Sequence, residues 1–120
     1  MSTQARNVRI DELLDYVREG RIMDAMKEFY DEDVVMEEPM YGATVGLSAN
    51  LAREQAFVES FREFKSFQAE KVAETGDTSF YENVMEWVDV NGNEVRAEQV
   101  AVATWKDGKI VHERFYYDAA

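Results

Sequence analysis

The sequence predicts an α+β fold: a curled antiparallel sheet wrapped around N-terminal helices, a cone-shaped barrel in the order ααβαββββ. Two observations carry this reading. Apolar residues recur at helical spacing early in the chain and again over 50–64. The rest of the chain alternates instead, and three turn signals cut it into four long segments.

Ile10, Leu13, Leu14 and Val17 stand at i, i+3, i+4 and i+7, a helix over 10–19 that Gly20 stops. Ile22, Ala25, Met26, Phe29 and Tyr30 repeat the spacing after a very short loop, so the two helices form a compact pair. DEDVVMEEP, 31–39, reads as a short strand ended by Pro39, which has no N–H. The next residues, 41–50, hold two glycines and no period, which predicts loop. Leu51, Phe57, Val58, Phe61 and Phe64 restore the helical period over 50–64, with Ser48 or Asn50 as cap. Gly76-Asp77, Asn91-Gly92 and Asp107-Gly108 then separate strands at 66–75, 78–90, 94–105 and 109–118. The last two are strong two-residue hairpin signals. Strands this long exceed the usual five or six residues, and long strands coil. A sheet curled around helices buries both kinds of apolar face and leaves an interior where a pocket belongs. The chain, 1–120, makes one domain.

Composition narrows the function. Apolar residues make up 46% and aromatics 12%, enough for a core. A net charge of −12 repels phosphate backbones and anionic lipids, which argues against nucleic-acid and membrane partners. No run approaches a membrane span and the first residues lack a signal-peptide pattern, so a cytoplasmic location is expected. With no cysteine and one histidine, disulfides are excluded and no metal site is expected; the scattered glycines make no phosphate loop.

Alternation assigns the inward side chains. Val34, Met36 and Glu38 share one face of their strand, and Val35 and Glu37 the other. In the last strand Val111, Glu113, Phe115 and Tyr117 share a face, against Ile110, His112, Arg114, Tyr116 and Asp118. Glu38 and Glu113 thus keep apolar company, where desolvation raises a carboxyl's pKa toward general acid–base use. The structural alternative pairs Glu113 with Arg96 across the sheet. His112 falls on the polar face, as a surface group. The strand 94–105 carries a small-volume face with Ala97, Gln99, Ala101, Ala103 and Trp105, which suits a helix or a ligand. The strand 78–90 is apolar on both faces, so the convex side needs cover, and a two-fold homodimer is the commonest solution.

The segments FYDEDVVMEEP, 29–39, and WKDGKIVHERFYYD, 105–118, resemble SnoaL-like proteins of the nuclear transport factor 2-like superfamily, and the likeness covers nearly the whole chain. That resemblance implies the cone fold and offers several activities, among them polyketide cyclases, ketosteroid isomerases and epoxide hydrolases, besides non-enzymatic binding domains. VVMEEPMYG resembles the isomerase segment that carries the general base, which falls on Glu38. The isomerase's oxyanion donors fall on Leu13 or Leu14 and on Ala101, which cannot act so. Arg114, Tyr116, Tyr117 and Asp118 resemble the closing strand of limonene epoxide hydrolases, but ENVMEWVD lacks their arginine–aspartate pair. Cyclases of this kind use an acidic base in an apolar cavity and no cofactor. The resulting expectation is a cofactor-independent cyclase- or isomerase-type enzyme on a small apolar carbonyl compound. Glu38 is the base and Glu113 a second polar group. Tyr30, Tyr41, Phe57, Phe61, Gln99, Trp105, Phe115 and Tyr117 line the pocket. The alternative is a non-catalytic ligand-binding or dimerisation module.

Overall fold

The computed structural model describes residues 7–118. Helices α1 (Ile10–Arg18) and α2 (Ile22–Phe29) lead into strand β1 (Tyr30–Glu38) and its hairpin partner β2 (Gly42–Val45). Helix α3 (Leu47–Glu59) follows, then four long strands: β3 (Phe61–Thr75), β4 (Thr78–Asp89), β5 (Glu94–Lys106) and β6 (Lys109–Tyr116). They form one open six-stranded sheet in the order β2-β1-β6-β5-β4-β3. Neighbours are antiparallel except β1 and β6, which run parallel. The expected α+β cone is therefore present, with one element more than the expected order. Among the described residues no helix is long and apolar enough to cross a membrane.

The helices present the apolar stripes that their spacing predicts. Ile10, Leu13 and Leu14 of α1, and Ile22, Ala25, Met26 and Phe29 of α2, are buried against the sheet. Phe29 is the hub: its ring meets Tyr16 edge-on at 5.0 Å and Trp105 at 6.5 Å. Truncating so enclosed a phenylalanine to alanine typically costs about 3–5 kcal/mol.

Several boundaries differ from the sequence reading. Tyr30 starts β1 rather than ending α2, because the chain turns extended there (φ −109°, ψ 135°). The segment read as loop holds β2 and the first turn of α3. Gly46, at φ 93°, is the residue before the helix, and neither Ser48 nor Asn50 caps it. Asn50 is buried within the helix and bonds back to the carbonyls of Thr44 (3.0 Å) and Gly46 (2.8 Å). Phe61 and Phe64 belong to β3, where they join Phe57 and Trp87 in one aromatic cluster. Asp107-Gly108 makes the tight hairpin, both residues at positive φ, as a two-residue primed turn requires. Asn91-Gly92 does not. There β4 and β5 are joined by the longer loop 90–93, which the Asp89 carboxylate organises by accepting from the N–H groups of Asn91 and Asn93.

Alternation in β6 breaks once. The register slips between Thr104 opposite His112 and Trp105 opposite Ile110, leaving Val111 as the extra residue. Ile110 therefore points into the core together with Glu113, and not onto the face of His112 and Arg114.

Candidate functional site

Four titratable side chains converge inside the cone: Tyr30 from β1, Glu54 from α3, Tyr81 from β4 and Glu113 from β6. Strand register explains three of them. Glu113 lies opposite Met36 on one side and Ala103 on the other, and Ala103 in turn opposes Ser79. Tyr81 lies one step further along the same inner face, opposite Ala101, which opposes Phe115. The alanines keep β5 thin here, so the larger groups of β4 and β6 approach above it.

Glu113 is fully buried. The Tyr30 hydroxyl donates to its Oε1 at 2.5 Å, while its Oε2 has no partner among the described residues. Burial pushes this carboxyl up to about 8; the Tyr30 hydrogen bond pulls the other way and the Glu54 charge adds to the rise. Burial likewise pushes Tyr30 and Tyr81 well above an ordinary phenol, helped by the Glu113 charge. Desolvation raises Glu54 to about 7, against the lowering effect of neighbouring Arg53. At neutral pH Glu113 is thus mostly a neutral acid, and a neutral acid whose Oε1 already accepts can donate from Oε2. Glu54 is divided between its acid and base forms, the condition that general acid–base catalysis favours.

Arg96 does not pair with Glu113. It meets Glu98 at 2.7 Å and Glu86 at 3.7 Å on the outer face. His112 is also outside, 2.5 Å from Glu37.

Glu38 occupies a different setting at the end of β1. Its carboxylate accepts from the Tyr41 N–H at 2.5 Å and from the Tyr117 hydroxyl, and Arg53 approaches at 3.6 Å. Arg53 also donates to Thr44 Oγ1 at 2.6 Å and lies over the Tyr41 ring. Burial, then the bond to Glu38, raises Tyr117 to about 12. Glu38 therefore ties the β1–β2 hairpin to α3 and to the residues after β6.

The expected lining residues divide. Tyr30 is in the acid cluster, with Phe115 half-buried at the same level. Phe57 and Phe61 sit in the aromatic cluster under α3, and Gln99 is half-buried beside Asn83. Tyr41 is 67% exposed on the hairpin turn, and Tyr117 belongs to the Glu38 clasp. Trp105 is sealed in the core, its indole N–H donating to Ser79 at 2.9 Å. Tyr41 and Trp105 thus line no interior pocket here: one is at a solvent-facing turn, the other behind the helices.

The interior around Glu113 is closed. Two surface depressions, of about 270 and 210 Å³, lie elsewhere, and neither is lined by Glu38, Glu54 or Glu113. The first is walled by Glu82, Val84, Glu98, Val100 and Tyr116 of the outer face, with Asn83 and Gln99. Among the described residues no group of three His, Cys, Asp or Glu is arranged to hold a metal ion.

Sequence reasoning missed Glu54 and Asn83. Glu54 carried a signal, since Leu51, Glu54 and Val58 follow i, i+3, i+7 and so share a helix face. Asn83 carried the period-two signal of Ser79, Tyr81 and Met85.

The SnoaL-like domain profile matches residues 10–113. Similar solved structures include a candidate SnoaL-like polyketide cyclase from Mesorhizobium loti, 24% identical over 92% of this chain and 100% of that one, TM-score 0.77. A candidate isomerase from Bacillus subtilis is 21% identical over 91% and 83%, TM-score 0.76. A Catenulispora acidiphila protein with a ketosteroid isomerase-like fold, in complex with trimethylamine, is 12% identical over 95% and 88%, TM-score 0.77. At these identities the likeness establishes the fold. Among curated proteins there is no match.

Proposed function

The chain belongs to the SnoaL-like domain family, and from that premise we propose a cofactor-independent proton-transfer enzyme, of cyclase or isomerase type, acting on a small, largely apolar carbonyl compound. One observation carries the reading: a fully buried carboxyl with one oxygen held by Tyr30 and the other unpartnered. In the proposed reaction the protonated Glu113 donates from Oε2 to the substrate carbonyl. Glu54, as carboxylate, removes a proton from the adjacent carbon. The electron pair of that C–H bond moves onto the oxygen, and the resulting enol or enolate is held by Glu113, itself fixed by Tyr30. Return of the proton from Glu54 to a different carbon of a conjugated enol, with the enol O–H proton going back to Glu113, completes an isomerisation; attack of the α-carbon on a second carbonyl, whose oxygen takes the proton from Glu54 while the enol proton returns to Glu113, completes a cyclisation. A carboxylic acid kept neutral in an apolar site as a donor has precedent in ketosteroid isomerase, and such donors supply the largest single contribution in many enzymes.

In this reading Glu38 is not the base. Its oxygens already hold Tyr41, Tyr117 and Arg53. It closes the seam between α3 and the sheet, and the interior admits a ligand when that clasp opens. The second reading is a binding module without turnover, in which Glu113 and Tyr30 hold a ligand's carbonyl and no proton moves.

Proton exchange decides between the two. With 2-tetralone in D2O, followed by NMR, the wild type is expected to deuterate the α-carbon faster than buffer. Glu54→Gln should reduce this at least about 100-fold, the usual scale of general-base catalysis. Exchange no faster than buffer, with the ketone still bound, would leave the binding module.

A further inference from the structure

We infer that Asn83 is a specificity-determining residue of the same interior, the acceptor for a hydroxyl that the substrate carries away from its reacting carbonyl. The inference rests on the proton-transfer reading and extends it to the ligand's second functional group.

Two buried side-chain polar atoms lack a partner among the described residues, Glu113 Oε2 and Asn83 Oδ1. Both belong to the inner face of the sheet. Asn83 is 1% exposed, and its Nδ2 donates to the Gln99 carbonyl at 3.3 Å. That bond fixes which way the amide points, since the reversed amide would set two carbonyl oxygens against each other. The free atom is therefore the oxygen, an acceptor. A buried acceptor left without a donor is costly, and an apolar residue of the same shape would remove that cost. A polar side chain kept between Tyr81 and Met85 in a buried row is explained by a ligand that completes it.

The two orphans are complementary. Glu113 as a neutral acid offers a donor, and Asn83 offers only an acceptor. In the strand register Glu113 leads across Ala103 to Ser79, and Asn83 lies four residues further along β4. That is roughly 13 Å along the strand and about 10 Å across, a diagonal of about 16 Å, from which a hydrogen bond of about 2.8 Å at each end leaves about 10 to 11 Å between the ligand's own polar atoms. Ala101 and Tyr81 lie between, a small residue and a flat ring. The ligand class follows: a flat carbonyl compound with a hydroxyl roughly 10 Å from the carbonyl, lying over Tyr81 in one orientation only.

The test compares two fluorescent ketones that differ by one group, 6-hydroxy-2-acetonaphthone and 2-acetonaphthone, titrated into the intact protein. The wild type is expected to bind the hydroxyl compound about tenfold more tightly, the worth of one buried hydrogen bond. Asn83→Leu should erase that preference while keeping the affinity for 2-acetonaphthone. Equal binding of both ketones by the wild type would overturn the assignment and make Asn83 a residue satisfied by water only. So would a preference that survives in Asn83→Leu. If the wild type binds neither ketone, the ligand-binding interior itself falls, and with it the reading on which this one rests.

Discussion

Glu113 makes stability depend on pH with an uncommon sign. A carboxyl near 4.5 when unfolded and about 8 when folded binds more protons in the native state between those values. Stability from this group is full below about pH 4.5, declines as pH rises and is gone above about pH 8. Glu54, raised to about 7, adds a second loss of the same sign. For Glu113 alone the span is on the order of 5 kcal/mol. Melting from pH 5 to pH 9 should show a falling Tm in the wild type and a clearly flatter profile in Glu113→Gln, which cannot ionise. Parallel profiles would show that Glu113 is not the group held neutral. The inward direction of Glu113 was readable in the sequence because Phe115, two residues on along the same face, is apolar; the bulge at Val111, which brings Ile110 onto that face instead, was not. The partner of Glu113 was not readable either, because Tyr30 also fits the helical spacing of Ile22, Met26 and Phe29, and only the extended backbone at Tyr30 itself decides between the two.

Among the elements, the β1–β2 hairpin shows how a correct direction and a different role coexist. Period-two alternation put Glu38 on the inner face and Glu37 outside, and Glu37 does meet His112 on the outer side. What alternation cannot supply is the neighbouring helix, and Arg53 of α3 turns Glu38 into a clasp. Glu38→Gln keeps the shape and removes the charge. It should cost about 1–2 kcal/mol in urea denaturation, since one charge-assisted contact is lost with partly exposed partners. The same change should speed hydrogen exchange at the Tyr41 N–H; unchanged protection there would mean the hairpin is held by other contacts. Helix α3 was the least legible element. Its inward face carries Asn50 and Glu54, polar residues that blur the stripe, whereas Phe61 and Phe64 of the next strand prolong the period and pull the apparent end too far.

Across the whole molecule, the curled sheet leaves an outer face with Phe80 and Tyr116 exposed beside Val84, Val100 and Val102. Arg114 flanks them opposite Val102, and Glu82 and Glu98 wall the depression between. Apolar residues ringed by both signs of charge suit a second copy, and a two-fold pairing through this face is our proposal for the assembly. Native mass spectrometry should find a dimer, and Phe80→Glu should leave monomers that keep the wild-type fold; a monomeric wild type would remove the proposal. The cone itself was legible because turn pairs and strand lengths are local signals. The neighbours β1 and β6 were not, because nothing local announces a pairing between segments so far apart. That pairing sets an order of events during synthesis. Tyr30 and Glu113 are separated by 83 positions, and β6 is inserted between β1 and β5. Until β6 arrives, β1 and β5 each present a bare edge, the kind of surface that recruits other chains. The acid cluster is therefore assembled only when β6 closes the gap between those two edges, so the interior chemistry and the protection of both edges arrive in a single step.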